Sequence, residues 1–290
     1  MKKEKISFSK MSGAGNDFVV FDSESFSHLN FDKNQIRKIC DRHFGIGADG
    51  VITISESANY DFVMKYFNAD GSTGSLCGNG ARCAILFAKE NGMLKSNFTK
   101  FLSNDSEYSG EFISEKEIRF NLSDPQKIKL GFKVKAGNQL ISANFIDTGS
   151  PHVVIFIEDI LIDPINPKKN YKNINDVPVV ELGREIRYLP EFSPGGANVN
   201  FLQIEKSQLK IRTYERGVEA ETLACGTGSV AAALVSNLVK KFSSPVSLIT
   251  RGNDKLFVDF DVENNEFLKI SLTGPAEFIF AGEIQKSFFE

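Results

Sequence analysis

Residues 77–86, CGNGARCAIL, and residues 225–234, CGTGSVAAAL, are nearly the same phrase written twice in one chain. Each opens on a cysteine, passes through Gly-x-Gly, and enters an apolar run too continuous for an exposed surface. A helix that is apolar on nearly all sides belongs inside a protein, so each run predicts a helix wrapped by other elements. The surroundings repeat as well. Tyr66 stands eleven positions before Cys77, as Tyr214 stands eleven before Cys225. Further upstream GADGVITI (47–54) answers GANVNFLQI (196–204), and GNDFVVF (15–21) answers GSPHVVIF (149–156). Three segments in one order, at offsets of 134 to 149, point to duplication of a unit of roughly 140 residues. Two similar domains facing each other across a pseudo-twofold axis are expected.

The bulk composition agrees with two ordinary cores. The chain has 290 residues, 41% hydrophobic and 24% charged, with a formal net charge of -3, enough for two soluble globular domains. Lys and Arg (34) nearly balance Asp and Glu (37) without a basic block, which argues against a nucleic-acid partner and favours small-molecule or protein partners. The N-terminal MKKEKISFSK has charge but no apolar core, and no 18-residue apolar run occurs. No membrane association and a cytoplasmic location are therefore expected. Four cysteines (40, 77, 83, 225) read as free thiols in a reducing compartment. No Cys-x-x-Cys or His-x-x-x-His pair exists, and His28, His43 and His152 are scattered, so no metal is expected.

Period-2 runs rich in Phe, Val and Ile predict strands at 5–9, 17–22, 50–54, 61–67, 140–147, 152–157, 197–204, 208–214, 255–260 and 276–281. Helices are predicted near 33–42 (after Asp32 as N-cap), 79–91, 179–189 and 227–240. Strands dominate and do not alternate regularly with helices, so the class is α+β rather than repeated βαβ. The stretch 102–126 reads as a hairpin, turning at 114–117, then a Pro-containing connection, and marks the boundary. The first half covers 1–125 with a C-terminal strand at 277–290, the second 126–276. Residues 158–178, rich in Pro, Asn and Lys, read as a surface excursion.

A Cys-Gly-x-Gly at a helix start carries a definite chemistry. The first turn presents unpaired N–H groups and the positive end of the helix dipole, a site for a carboxylate or phosphate. The same field favours thiolate over thiol, drawing the cysteine pKa from roughly 8.5 toward neutrality. Two such sites brought to one ligand would abstract a proton from one face of a carbon acid and return one to the other. No cofactor is needed for that. A single free cysteine is ordinarily a small buried hydrophobe. That reading stands for Cys40 and Cys83, whereas the duplicated glycine context sets Cys77 and Cys225 apart.

The segments KMSGAGNDFVVFD, RHFGIGADGVI, YFNADGSTGSLCGNGARC, GSPHVV, NVNFLQI and RTYERGVEAETLACGTG together resemble the diaminopimelate epimerase family over nearly the whole chain. The resemblance implies two similar domains, each a β-barrel-like sheet around a central helix, with a two-thiol site in the cleft between them. It implies epimerisation of LL- to meso-diaminopimelate without a cofactor, in lysine and peptidoglycan precursor synthesis. Cys77 and Cys225 would be the catalytic acid/base pair. Gly78, Asn79, Gly226 and Thr227 would bind the reacting α-carboxylate. Asn16, Asn68, Asn198 and Arg216 would hold the distal centre, and Glu215 and His152 would lie near the thiols, tuning them or the α-amino group. The resemblance leaves homodimer formation open.

Two departures stand out. The family usually has Asn where this chain has Ser150, a shorter side chain without an amide, which would loosen recognition at the distal end. Between Arg216 and Glu221 the chain is one residue longer than the commonest pattern, which predicts a reshaped loop. Other functions remain for the two thiols. A proline or hydroxyproline racemase would share the chemistry without the distal set, a dithiol oxidoreductase would place its cysteines close in sequence, and a non-catalytic anion binder would need only the helix ends.

Overall fold

The structure, a computed structural model, describes residues 5–22, 31–74 and 77–289. His28, and Ser75 and Leu76 just before Cys77, lie outside the described residues. The chain divides into two compact units, Met1–Asn121 with Gly274–Glu290, and Leu122–Thr273. The sequence places these divisions at 125/126 and 276/277. Leu122 follows the second unit because its N–H donates to the Ile270 carbonyl at 2.9 Å.

In the first unit the phenylalanine- and valine-rich runs become β1 (Lys5–Gly13), β2 (Asn16–Asp22), β3 (Gly50–Ser55) and β4 (Phe62–Asn68). They continue into β5 (Phe98–Ser103), β6 (Ser106–Phe112) and β7 (Glu117–Asn121), and the C-terminal β17 (Glu277–Gln285) returns to pair with β1. The sheet order is β17-β1-β2-β3-β4-β5-β6-β7, antiparallel except for β2/β3 and β4/β5. Phe18, Val19, Val20 and Phe21 are all completely buried, as expected of a parallel-paired strand covered on both faces. Helix α1 (Lys33–Cys40) starts at Asp32, whose carboxylate accepts from the Asn34 and Gln35 N–H groups while Gln35 reaches back, a capping box. Its Ile36 and Ile39 pack on Val19, Phe21 and Val51, each burial contributing roughly 1.5–3 kcal/mol. Helix α2 (Gly78–Glu90) is buried from Gly78 to Ala88 and packs against β1, β2, β3, β4, β6 and β7.

The second unit repeats this plan. Its strands are β8 (Gln126–Ala136), β9 (Gln139–Asp147), β10 (Pro151–Phe156), β11 (Asn198–Glu205), β12 (Gln208–Glu215) and a short β13 (Ala220–Thr222). They are followed by β14 (Val246–Ile249), β15 (Lys255–Glu263) and β16 (Glu266–Pro275). The order β8-β9-β10-β11-β12-β14-β15-β16 has parallel pairs only at β10/β11 and β12/β14, the same places as in the first unit. Helix α3 (Val179–Arg187) joins β10 to β11, as α1 joins β2 to β3, and buries Leu182 and Ile186 against Val199, Phe201 and Tyr214. Helix α4 (Gly226–Lys240) is buried from Gly228 to Ser236 and packs against β9, β10, β11, β12, β14 and β15. The chain is thus a mostly-sheet α+β protein in which one topology occurs twice, each copy with its all-round apolar helix against six strands.

Residues 102–126 correct one expectation. The hairpin is real, with β6 and β7 joined through residues 113–116, but residues 102 and 103 end a further strand, β5. Asn104 and Asp105 both have positive φ (48° and 60°) and make a tight turn into β6, a backbone that Asn and Asp tolerate without glycine. Residues 158–178 carry two single-turn 3-10 segments, Ile157–Asp159 and Ile174–Asp176. Among the described residues no helix is long and apolar enough to cross a membrane.

Candidate active site

Cys77 is the N-cap of α2, in extended backbone (φ -97°, ψ 118°), and its thiol makes no capping hydrogen bond. The first helical turn closes when the Ala81 N–H donates to the Cys77 carbonyl at 2.8 Å. Cys77 Sγ lies 3.6 Å from Asn16 Oδ1, and Asn79 Nδ2 donates to the same oxygen at 3.4 Å. Asn16 is held from behind, where its Nδ2 donates to Asp49 Oδ2 at 2.7 Å. Arg42 bridges Asp49 (2.7 Å) and Asp17 (2.8 Å), and the buried Lys10 pairs with Asp17 at 2.7 Å and donates to the Gly47 carbonyl. Burial raises the Asp17 carboxyl, but hydrogen bonds and charge from Arg42 and Lys10 outweigh it and hold the group below the usual carboxylate range. Asp49 moves upward, through burial and the neighbouring Asp17 charge. Arg82, wholly buried on α2, donates to Asn79 Oδ1 (2.9 Å), the Gly78 carbonyl (3.2 Å) and the Pro275 carbonyl (3.2 Å). Gly13 at the end of β1 abuts this turn, and a Cβ there would lie 2.6 Å from the Asn79 carbonyl oxygen.

Cys225 caps α4 in the same way, extended (φ -120°, ψ 114°) and without a capping bond from its thiol. Its carbonyl accepts from the Ser229 N–H and hydroxyl, both at 2.9 Å. The local chemistry then departs from the first copy. Cys225 Sγ lies 3.7 Å from Thr227 Oγ1, which is 3.0 Å from His152 Nε2. His152 is completely buried, and burial, reinforced by the charge of Arg216, lowers its pKa to about 3. The imidazole is neutral at physiological pH. Thr148 donates to the Thr227 carbonyl at 3.0 Å and so ties the β9–β10 turn to the helix start.

Ser150, Asn198 and Arg216 form one cluster in the second unit. Asn198 Nδ2 donates to Ser150 Oγ and to the Pro151 carbonyl, both at 3.1 Å, and its Oδ1 accepts from the Arg216 N–H at 2.8 Å. Arg216 Nη2 reaches Ser150 Oγ at 3.4 Å. The hydroxyl of Ser150 thereby takes part in orienting both the amide and the guanidinium. Glu215 accepts from Thr222 Oγ1 at 2.8 Å. Asn68 sits at the turn after β4, where its Nδ2 donates to Ser72 Oγ at 3.0 Å. The loop after Arg216 is pinned by Glu219, which has positive φ (59°) and binds Arg187 through Nε (2.8 Å) and the Tyr188 hydroxyl (2.8 Å).

The structure therefore brings Cys77, Asn16, Asn79 and Gly78 together in one unit, and Cys225, Gly226, Thr227 and His152 in the other, with Ser150, Asn198 and Arg216 alongside as a third cluster. The diaminopimelate epimerase family pattern matches residues 8–125 and 144–279. A diaminopimelate epimerase of Aquifex aeolicus is 38% identical, covering 98% of this chain and 100% of its own. One from Chlorobaculum tepidum is 40% identical over 94% of this chain and 99% of its own. The chain belongs to the diaminopimelate epimerase family. It is accordingly an isomerase. Among solved structures, a hydroxyproline epimerase of Agrobacterium vitis superposes with a TM-score of 0.69 over 98% of this chain and 94% of its own. At 13% identity that likeness shows the shared fold alone.

Sequence reasoning did not single out the residues behind the motif side chains: Asp49, Arg42 and Lys10 behind Asn16, Arg82 behind Asn79, and Asn200 behind His152. Asp49 and Asn200 lie inside the repeated segments that first signalled duplication, which was the available signal.

Proposed function

We propose that this chain interconverts LL- and meso-diaminopimelate by a two-base reaction in which Cys77 and Cys225 exchange the roles of thiolate base and thiol acid. The observation carrying this reading is the repeated cap. Each cysteine begins a buried helix through Gly-x-Gly, at the same point of the same strand order, with a thiol that is not used to cap the helix. In this reading the two caps approach one α-carbon from opposite faces, across a cleft between the halves 1–125 with 277–290 and 126–276. The α-carboxylate lies against the first-turn N–H groups of Gly78, Asn79, Gly226 and Thr227, where helix-end dipoles stabilise the charge that develops as the α-proton leaves. Neither thiol suffices alone, because inversion takes a proton from one face and supplies one to the other.

Asn16, Asn68, Asn198 and Arg216 supply recognition of the distal amino and carboxylate groups, with Ser150 assisting through Asn198 and Arg216. Glu215 and neutral His152 attend the α-amino group or the thiols. That distal set favours diaminopimelate over a proline-type substrate, which has nothing for it to hold. The enzyme needs no cofactor and serves lysine and peptidoglycan precursor synthesis in the cytoplasm. Incubation with LL-diaminopimelate under reducing conditions, followed by chiral chromatography, should yield meso product in wild type and none in Cys77→Ala or Cys225→Ala. Absence of meso product in wild type, or undiminished turnover in both variants, contradicts the proposal.

A further inference from the structure

Behind Thr227 lies a polar side chain outside the proposed substrate-binding set. Asn200 on β11 is completely buried, and its Oδ1 accepts from Thr213 Oγ1 at 3.0 Å. Its Nδ2 donates to the Val153 carbonyl at 3.0 Å and stands 3.2 Å from His152 Nδ1. A carbonyl only accepts, so it is the NH₂ end of the amide that faces Val153. The second hydrogen of that NH₂ then points at His152 Nδ1, which must accept it. A neutral imidazole whose Nδ1 accepts carries its proton on Nε2. Nε2–H donates to Thr227 Oγ1 at 3.0 Å. With that oxygen occupied as an acceptor, the single hydroxyl hydrogen is available to Cys225 Sγ at 3.7 Å.

In the first copy the matching places are filled differently. The residue standing over Gly80 there is Ile52, whose Cδ1 would lie 3.2 Å from an added Cβ, whereas Asn200 Oδ1 occupies the matching place over Gly228. Cys77 instead faces the oxygen of Asn16, whose NH₂ is committed to Asp49. The polar chain is thus a feature of one thiol and is not dictated by the shared fold.

We infer that Asn200 is a positioning residue for the reaction: it fixes His152 as the Nε2–H tautomer, and so directs the Thr227 hydroxyl to donate to the Cys225 thiolate. The inference rests on the proposed use of Cys225. Its tests use no substrate, so they can fail while the epimerase reading stands, and the reverse. His152 is held neutral by its burial, which allows a tautomer to be set at all.

The experiment begins with wild-type protein labelled with ¹⁵N-histidine, the signals of the three histidines being assigned with His152→Gln. The expected spectrum at neutral pH shows His152 with Nε2 protonated and Nδ1 bare, and Nδ1–H would overturn the inference. Asn200→Asp places an acceptor against Nδ1, so it should move the proton to Nδ1 and slow iodoacetamide labelling of Cys225 about tenfold, one pKa unit of thiolate stabilisation. Labelling of Cys77 in the same sample, read by mass mapping, should not change. Should Asn200→Asp fail to fold, Thr227→Val must slow Cys225 labelling by a similar factor while leaving the His152 tautomer intact, and Thr227→Ser must restore the rate. An unchanged Cys225 rate in Thr227→Val, or in an Asn200→Asp protein whose tautomer has switched, overturns the inference.

Discussion

Gly228→Ala and Gly80→Ala are formally the same substitution in the two copies of Cys-Gly-x-Gly, yet the packing around them predicts opposite outcomes. Both sites are third positions of a helix, where alanine is favoured over glycine by about 1 kcal/mol. At Gly80 the nearest atom to an added Cβ is Ile52 Cδ1 at 3.2 Å, the far end of a side chain able to give a few tenths of an ångström. At Gly228 it is Asn200 Oδ1 at 2.4 Å, with Cys225 Sγ at 3.2 Å. Asn200 has no room to give, since its amide is completely buried and engages Thr213, Val153 and His152 at 3.0 to 3.2 Å. Relieving the clash needs nearly an ångström of movement, an overpacking cost of about 1–3 kcal/mol. Each buried hydrogen bond lost adds about 1 kcal/mol. The net for Gly228→Ala, after the helix gain, is about 2 kcal/mol of destabilisation, or a fall in Tm of about 4–8 °C at the ~2–4 °C per kcal/mol usual for domains of this size. Gly80→Ala should stay within about 1 kcal/mol of wild type or gain slightly. Differential scanning calorimetry of the two variants decides the matter, and epimerase turnover should fall only in Gly228→Ala. Equal thermal shifts, or a larger one in Gly80→Ala, would show that Asn200 does not hold its place over Gly228.

Other perturbations probe the remaining supports. Arg82→Met leaves Asn79 Oδ1 and the Pro275 carbonyl without their 2.9 and 3.2 Å donor; it should cost about 2–4 kcal/mol in urea unfolding, and a change under about 0.5 kcal/mol would show that Arg82 only fills space. Burial acts upward on Glu219, but hydrogen bonds from Arg187, the Gly217 N–H and Tyr188 outweigh it and bring the pKa to about 2. Its folded pKa is below its unfolded one, so the stabilisation is complete above about 4.3 and fades as pH falls through about 2. Partial exposure limits it to about 1 kcal/mol or less, so wild type should exceed Glu219→Gln in stability at pH 7 and converge with it near pH 2, whereas a gap that widens in acid contradicts the assignment. Burial pushes the thiols of Cys40 and Cys83 up to about 12; iodoacetamide at pH 8 should label Cys77 and Cys225 in the native protein and all four cysteines only after unfolding.

Several elements whose side chains pack against a core were legible in the sequence, whereas β14 and β16, which bury Val246, Leu248, Ile270 and Leu272, were not. Helix α1 declared itself through Asp32 as its N-cap, and α2 and α4 through apolar runs that only a buried helix can carry. β2 and β10 did so through consecutive Phe, Val and Ile. Strand β8 was missed because its residues from Gln126 to Gly131 are exposed, so no buried face imposes a pattern on them, and Pro125 and Gly131 interrupt what remains. The three-strand run β5–β7 was compressed to one hairpin because the Asn104–Asp105 turn carries no glycine. In the candidate site, residues of the repeated caps could be named in advance, since a helix start dictates what its first turn offers. Their supports could not. Asn200 acts on Cys225 only through His152 and Thr227, a chain of hydrogen bonds that joins β11, β10 and α4 and leaves no local spacing to read. The same holds for Asp49 and Arg42, which reach Cys77 through Asn16.

If two thiols, one from each copy, share a single inversion, the labelling pattern in deuterated water reports it. With LL-diaminopimelate at low conversion, two bases that do not exchange protons with each other predict meso product carrying deuterium at the inverted carbon and recovered substrate almost free of it. Product that retains its original hydrogen, or substrate that exchanges as fast as product forms, would mean that one group serves both faces and that the two thiols do not divide the inversion.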